Sequence, residues 1–300
     1  MQGVSMKIAI AGGSGFVGSH LASYFEKQGH ELILLSRNPT HPHMHYWNPE
    51  ANQMESSILE NVEVVINLSG ETVFGRWSGK KMERIKSSRL ISTHFLCNAL
   101  LNLKRLPKLY IGASATGYYG DRENEILVES STPGKDFLSE VCTAWEKIPD
   151  SLTHKKVRVI LARFGIVLGS EGGALKYIEK AFNTGMGGVL GSGGQMMSWI
   201  AIDDLCGAME HVILHDELVG PVNFVSPQAV TNMQFTHLIG KLLHRPTVVS
   251  VPKFALNMLF GEGAQVFLSS THAQPKCLLE SGYIFQVPEL EGALKKYLKK

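Results

Sequence analysis

Gly12, Gly15 and Gly18 stand three residues apart in Gly12-Gly13-Ser14-Gly15-Phe16-Val17-Gly18, a spacing suited to holding a phosphate anion. The first glycine permits a tight turn, the second leaves bare backbone where a pyrophosphate must approach, and the third lets a helix pack closely on a strand. Backbone N–H groups at the helix start, among Ser14, Phe16 and Val17, then meet the anion with the helix's partial positive charge behind them. A second chemistry is offered by Ser114-Ala115-Thr116-Gly117-Tyr118-Tyr119-Gly120, a hydroxyl-rich loop bracketed by glycine. Such side chains handle a proton at a substrate oxygen, although a polar turn with two packed tyrosines has the same composition.

The elements that must position these groups alternate. The apolar run Ile8–Ala11 reads as a buried parallel strand, and Leu21, Ala22, Tyr24 and Phe25 mark the helix it feeds, which ends near Gly29. Glu31–Leu35 is the second strand, and Ser36-Arg37-Asn38 closes it. In an open α/β sheet that position meets the adenosine ribose, where a carboxylate binds a 2′-hydroxyl and an arginine binds a 2′-phosphate. Ser36 and Arg37 therefore predict NADP(H). Val62–Leu68 is a further strand with Leu68, Ser69 and Gly70 at its carboxyl end, again on the ligand side. Arg76–Leu103 reads mostly as helix, with Met82, Ile85, Leu90, Ile91, Phe95 and Leu96 in the core and Lys80, Lys81, Arg84, Lys86 and Arg89 as a basic face. Of these, Arg89 is counted with the cofactor-binding residues. Strands follow at Lys108–Ala113, Val157–Phe164 and Val222–Val225, with a helix at Phe137–Lys147 and another led in by Ser198 to Asp204, where an Asp can cap it. The glycines between Gly185 and Gly194 exclude a helix interior and predict a flexible or tightly turned segment beside a ligand or between lobes.

The expected architecture is an α/β, Rossmann-type doubly wound parallel sheet. An NAD(P)-binding domain spans 1–225 and a smaller, mainly helical C-terminal substrate lobe spans 226–300, with a strand at Thr247–Val251 and Pro252 opening a helix. Lys and Arg total 29 against 27 Asp and Glu, so no charge excess announces a nucleic-acid or membrane surface. No apolar run reaches a membrane span and the amino terminus shows no signal-peptide core, which makes cytoplasmic placement the default. Residues 1–5 precede a second methionine, Met6, and read either as an alternative start or as a remnant added ahead of the chain. The four cysteines lie far apart in apolar contexts and read as reduced core thiols. His41, His43 and His45 invite a metal reading, but two prolines interrupt the run and nothing nearby completes a ligand set, so no metal is expected. The oligomeric state leaves no mark on the sequence.

Taken together, the glycine motif, Asn67-Leu68-Ser69-Gly70, the Ser114 loop and Arg163 to Gly169 resemble an extended or atypical short-chain dehydrogenase/reductase of the NAD-dependent epimerase/dehydratase superfamily. Arg76-Trp77, Ser88-Arg89, Trp145-Glu146, Ser198-Trp199-Ile200 and Gly261-Glu262 narrow the resemblance to its YfcH-like group, labelled sugar-nucleotide epimerases or cell-division-inhibitor homologues. The superfamily's chemistry implies a Tyr and a Lys four residues later, plus a Ser that orients the substrate oxygen. At the first two positions this chain has Leu138 and Cys142, and only Ser114 survives. A leucine relays no proton, and a neutral thiol lacks an ammonium's charge. Two expectations follow from the resemblance. One is an NADP(H)-dependent oxidoreductase or epimerase acting on a hydroxyl or carbonyl of a small or sugar-nucleotide-like substrate, with Ser114 and either Tyr118 or Tyr119 at the oxygen beside Arg84 or Arg89. The other is a catalytically silent NADPH sensor linked to cell division.

Overall fold

The computed structural model describes residues 5–40, 43–170, 172–247 and 250–298. Its main sheet has eight strands: β1 (Lys7–Ala11), β2 (Glu31–Ser36), β3 (Met44–Asn48), β4 (Gln53–Met54), β5 (Val64–Asn67), β6 (Leu109–Ala115), β7 (Arg158–Phe164) and β8 (Gly220–Phe224). Their spatial order is β8-β7-β6-β5-β1-β2-β3-β4, parallel except for β3 with β4. The chain winds outward from β1 through β2 and β3, then resumes on the other side of β1 at β5. That reversal opens a crevice at the carboxyl ends of β1 and β5, where an open sheet of this kind holds its ligand.

Helices cover both faces because the strands are apolar on both. Helix α1 (Phe16–Lys27) packs Leu21 and Phe25 with Leu205, Met209 and Val212 of a later helix against Ile8, Ile10 and Ile66. On the other face, α2 (Gly79–Leu101) and α3 (Phe137–Lys147) bury Leu96, Leu100 and Trp145 over Ala9, Leu35 and Val65. A third cluster is built by α4 (Gly173–Asn183), α5 (Ile202–Leu214), α6 (Asn232–Leu243) and, after α7 (Lys253–Phe260), α8 (Leu290–Tyr297), around Phe182, Trp199, Phe235 and Leu294. It draws on both sides of residue 225, while Leu278, Tyr283 and Phe285 return to the first cluster. None of the described helices is long and apolar enough to cross a membrane.

Several local expectations change. β3 and β4 lie in a stretch to which the sequence assigns no element, since half-exposed His45 and exposed Tyr46 beside buried Trp47 give no apolar run that announces a strand. Helix α2 starts at Gly79 because Ser78 caps it by accepting from the Lys81 N–H at 3.3 Å, and Ile91 points to solvent rather than into the core. The cap of α5 is Ala201, with no side-chain bond. The aspartates of its first turn serve elsewhere: Asp204, fully buried, accepts the Gln286 and Val287 N–H groups at 2.6 and 2.9 Å and the Tyr283 hydroxyl, while Tyr297 donates to Asp203. The glycine-rich segment is tightly turned, with Gly185, Gly191 and Gly193 at positive φ, and Val189–Leu190 pairs with Ser250–Val251. Val248 and Val249 of that expected strand, Met1 to Val4 of the alternative start, and His41 lie outside the described residues.

Candidate functional site

The glycine turn has the geometry of a phosphate cradle. Gly12 sits at φ +80°, and the Gly15 N–H donates to its carbonyl at 3.0 Å, closing the turn from β1 into α1. Gly15 is the N-cap and offers no side chain, so the first N–H groups of α1 stay open to an anion. A β-carbon on Gly18 would lie 2.3 Å from the Gly12 carbonyl oxygen and 2.8 Å from the Gly13 α-carbon, so this crossing requires glycine. Phe16 and Val17 spend their side chains on packing. The Phe16 ring presses on Gly172 and Gly173, where added β-carbons would meet it at 2.3 and 2.8 Å, and Val17 joins the core clusters. What these two residues present to a ligand is backbone; Ser14 is exposed.

On the other side of the crevice, Leu68 N–H donates to Ala11 at 2.9 Å, and Ser69 N–H to the Asn67 side-chain oxygen at 3.2 Å. Asn67 is in turn held by Thr93 and Tyr110, and Thr93 by the Trp145 indole. These bonds fix the backbone of Leu68 and Ser69, yet the buried Ser69 Oγ has no partner. Arg89 lies against Gly70, whose added β-carbon would meet the guanidinium carbon at 3.2 Å, and over the Trp145 ring at 5.3 Å. It donates to the carbonyls of Glu71 and Ile85, and among the described residues no carboxylate pairs with it. Burial pulls its pKa down. An orphaned hydroxyl and a sheltered cation without a counter-ion, facing an open helix start, fit a dinucleotide pyrophosphate. Ser36 is buried at the end of β2, and the exposed Arg37 has no bonding partner among the described residues.

The second group of predicted residues gathers at the carboxyl ends of β6 and β7. Ser114 is the penultimate residue of β6 rather than part of a loop, and its hydroxyl donates to Glu146 Oε1 at 2.6 Å. The same carboxylate is gripped by Arg163, Nε to Oε1 at 2.9 Å and Nη2 to Oε2 at 2.7 Å, with side chains only 3% and 8% exposed. Burial lowers the Arg163 pKa, but Glu146's hydrogen bond and charge outweigh it and leave the guanidinium firmly ionised. Arg163 also stacks on Tyr118, its guanidinium carbon 3.5 Å from the ring centroid.

The two tyrosines separate here. Tyr119 is fully buried; its hydroxyl accepts from Arg163 at 3.0 Å and donates to Asn223 at 2.7 Å, and burial pushes its pKa up to about 12. The Tyr118 hydroxyl has no partner among the described residues, and its ring is half-buried. The cation beside it is Arg163; Arg84 pairs with Glu71 and Arg89 lies by Gly70. Leu138 fills the space beside Gly117, and Cys142 is buried with its thiol pushed up to about 11, mainly by desolvation. Glu146 and Arg163 are the residues whose roles sequence reasoning missed. Their signal was one charge in each of two otherwise buried apolar segments, Trp145-Glu146 and Ala162-Arg163. Among the described residues no three His, Cys, Asp or Glu side chains converge to hold a metal.

Cradle, switch point and sheet order define a dinucleotide-binding protein of the extended short-chain dehydrogenase/reductase class. Residues 8–225 match the NAD dependent epimerase/dehydratase family, and the chain belongs to it. Residues 251–297 match a domain of unknown function, DUF1731. Epimerase family protein Mb2239 of Mycobacterium bovis is 35% identical, with 96% of each chain covered, and YfhF of Bacillus subtilis is 35% identical over 98% of each. The crystal structure of human epimerase family protein SDR39U1 with NADPH superposes with a TM-score of 0.88, at 31% identity, covering 97% of this chain and 98% of that one.

Proposed function

We infer that the protein is an NADP(H)-dependent oxidoreductase or epimerase acting on a hydroxyl or carbonyl of a small or sugar-nucleotide-like substrate, with Tyr118 handling the proton. The observation that carries this reading is the stack of Arg163 on Tyr118 beside Ser114, a cation–phenol–hydroxyl group in a chain whose usual Tyr and Lys positions hold Leu138 and Cys142. The NADPH in the human SDR39U1 structure supports the cofactor, as do Arg37, Arg89 and the orphaned Ser69 hydroxyl. Bound in the cradle, a nicotinamide cofactor supplies or accepts the hydride.

The remaining work falls to the chain. The partnerless Tyr118 hydroxyl gives a proton to, or takes one from, the substrate oxygen, and the guanidinium on its ring lies where negative charge develops as the proton leaves. Ser114 has its own proton committed to Glu146, so toward the substrate it presents lone pairs and accepts a hydrogen bond from a substrate hydroxyl.

The test is depletion of NADPH absorbance against a panel of carbonyl compounds and nucleotide sugars. With a substrate in hand, Tyr118→Phe and Ser114→Ala are expected to lower turnover about 10²-fold or more while NADPH affinity holds. Leu138→Ala and Cys142→Ala keep turnover; a dead Cys142→Ala would replace the phenol with the thiol. Stoichiometric NADPH binding with no depletion across the panel would overturn the enzyme reading in favour of a cofactor sensor.

Cofactor choice is a separate expectation. Arg37→Ala should cost about 1.5–3 kcal/mol of NADPH affinity, one to two powers of ten, and leave NADH nearly untouched. Paired dissociation constants at one ionic strength check it. Equal parent affinities for the two cofactors would remove the NADP assignment.

A further inference from the structure

We propose that Lys81, tethered by Glu71, is a second cation of the 2′-phosphate subsite, facing Arg37 across the carboxyl end of β1. The inference rests on the NADP(H) reading above and adds to it a residue on the opposite wall of the crevice.

The placement follows from sheet order. β2 and β5 flank β1 in register, with Ala11 paired to Leu35 on one side and to Asn67 on the other. Adjacent strands lie about 4.8 Å apart, so the chain leaving β2 at Arg37 and the chain leaving β5 toward Glu71 border a gap of roughly 10 Å. That gap is spanned by the adenosine half of a dinucleotide seated on the glycine turn.

The second wall is electropositive and organised. Of the basic residues on α2, Lys80, Arg84 and Lys86 are exposed, but Lys81 and Arg89 turn inward, and both converge on Glu71. Arg89 donates to the Glu71 carbonyl at 3.0 Å, and Lys81 Nζ meets its carboxylate at 2.7 Å, with side chains only 18% and 23% exposed. The Glu71 N–H donates to Ser88 Oγ at 3.0 Å, so the loop carrying the tether is itself fixed. Arg84 reaches the same carboxylate at 3.4 Å from an exposed position. The Glu71 carboxyl is held below the usual carboxylate range, first by the Lys81 hydrogen bond, and the charge of Arg37 also reaches it. Lys81, Arg84 and Arg89 against one carboxylate leave this wall positive, and Arg37 does the same for the wall opposite. A lysine held by one carboxylate oxygen keeps two donors for a phosphate. Partial shelter also keeps the pair from being fully screened by salt.

The experiment is paired titration of NADPH and NADH, followed by fluorescence at fixed ionic strength, into the full-length parent, Lys81→Met, Lys81→Arg and Arg37→Ala. Lys81→Met is expected to weaken NADPH about tenfold and leave NADH within about twofold, and Lys81→Arg to recover most of the loss. A loss shared equally by both cofactors would assign Lys81 a structural role at the start of α2 and overturn the proposal. So would an NADPH preference intact in Lys81→Met but abolished by Arg37→Ala, which leaves the cofactor reading standing. A parent that binds both cofactors alike would instead take down the NADP(H) reading itself.

Discussion

Gly18→Val is expected to abolish NADPH binding and to loosen the first strand-to-helix crossover. A β-carbon there falls 2.3 Å from the Gly12 carbonyl oxygen and 2.8 Å from the Gly13 α-carbon, both backbone atoms that cannot rotate away. Relief requires α1 to lift from β1, which opens the Leu21 and Phe25 contacts with the core. Overpacking of this kind costs about 1–3 kcal/mol, and more where backbone must shift. The cradle's N–H groups move with the helix, so affinity should fall by more than about 10²-fold. Gly15→Val separates the two effects. Its β-carbon would meet only the Gly12 oxygen, at 3.3 Å, a contact that a few tenths of an ångström relieves. That variant should unfold close to the parent's temperature while still losing NADPH, because the branched side chain stands where the pyrophosphate approaches. Calorimetric titration paired with thermal unfolding reads both quantities. Unchanged NADPH affinity in either variant would remove the phosphate-cradle reading.

Glu146→Ala should produce the largest loss of stability of any single change at the site, about 3–5 kcal/mol. The reason is the charge left behind. Arg163 is almost completely enclosed, and without Glu146 it keeps the Tyr119 hydroxyl and the Glu129 carbonyl as hydrogen-bond partners and the Tyr118 ring as a stacking face, none of them an anion. Ser114 loses its acceptor in the same step. A cycle with Arg163→Met isolates the pair: the double variant, with no orphaned charge, should be more stable than the sum of the two single losses implies. Urea unfolding of the four proteins is the measurement. A loss below about 1 kcal/mol in Glu146→Ala is the value typical of an exposed ion pair, and it would mean that the pair is solvated in solution.

The sequence by itself determined whatever depends on near neighbours along the chain. Glycines three apart between an apolar run and an amphipathic segment specify the turn, because φ +80° at Gly12 and the contact at Gly18 are decided within seven residues. The alternation of apolar strands with amphipathic helices carried the doubly wound fold in the same way, and Arg37 could be placed simply by counting to the end of β2. The half-polar strand β3 escaped because pairing between β2 and β4, rather than its own composition, makes it a strand.

Tertiary structure alone decided which side chains meet. Ser114 and Glu146 are 32 residues apart, Arg163 lies 17 beyond Glu146, and the bond that removes Tyr119 from the surface spans 104 residues to Asn223. Two adjacent tyrosines, equivalent on paper, part because residues at the end of a 3₁₀ turn face different directions: one ring goes under Arg163's hydrogen bonds and the other beneath its stacked face. Local propensity carries no information about such partners, since a buried guanidinium finds its carboxylate only after the strands and helices have packed, and the cost of leaving it unpaired is what then holds them together.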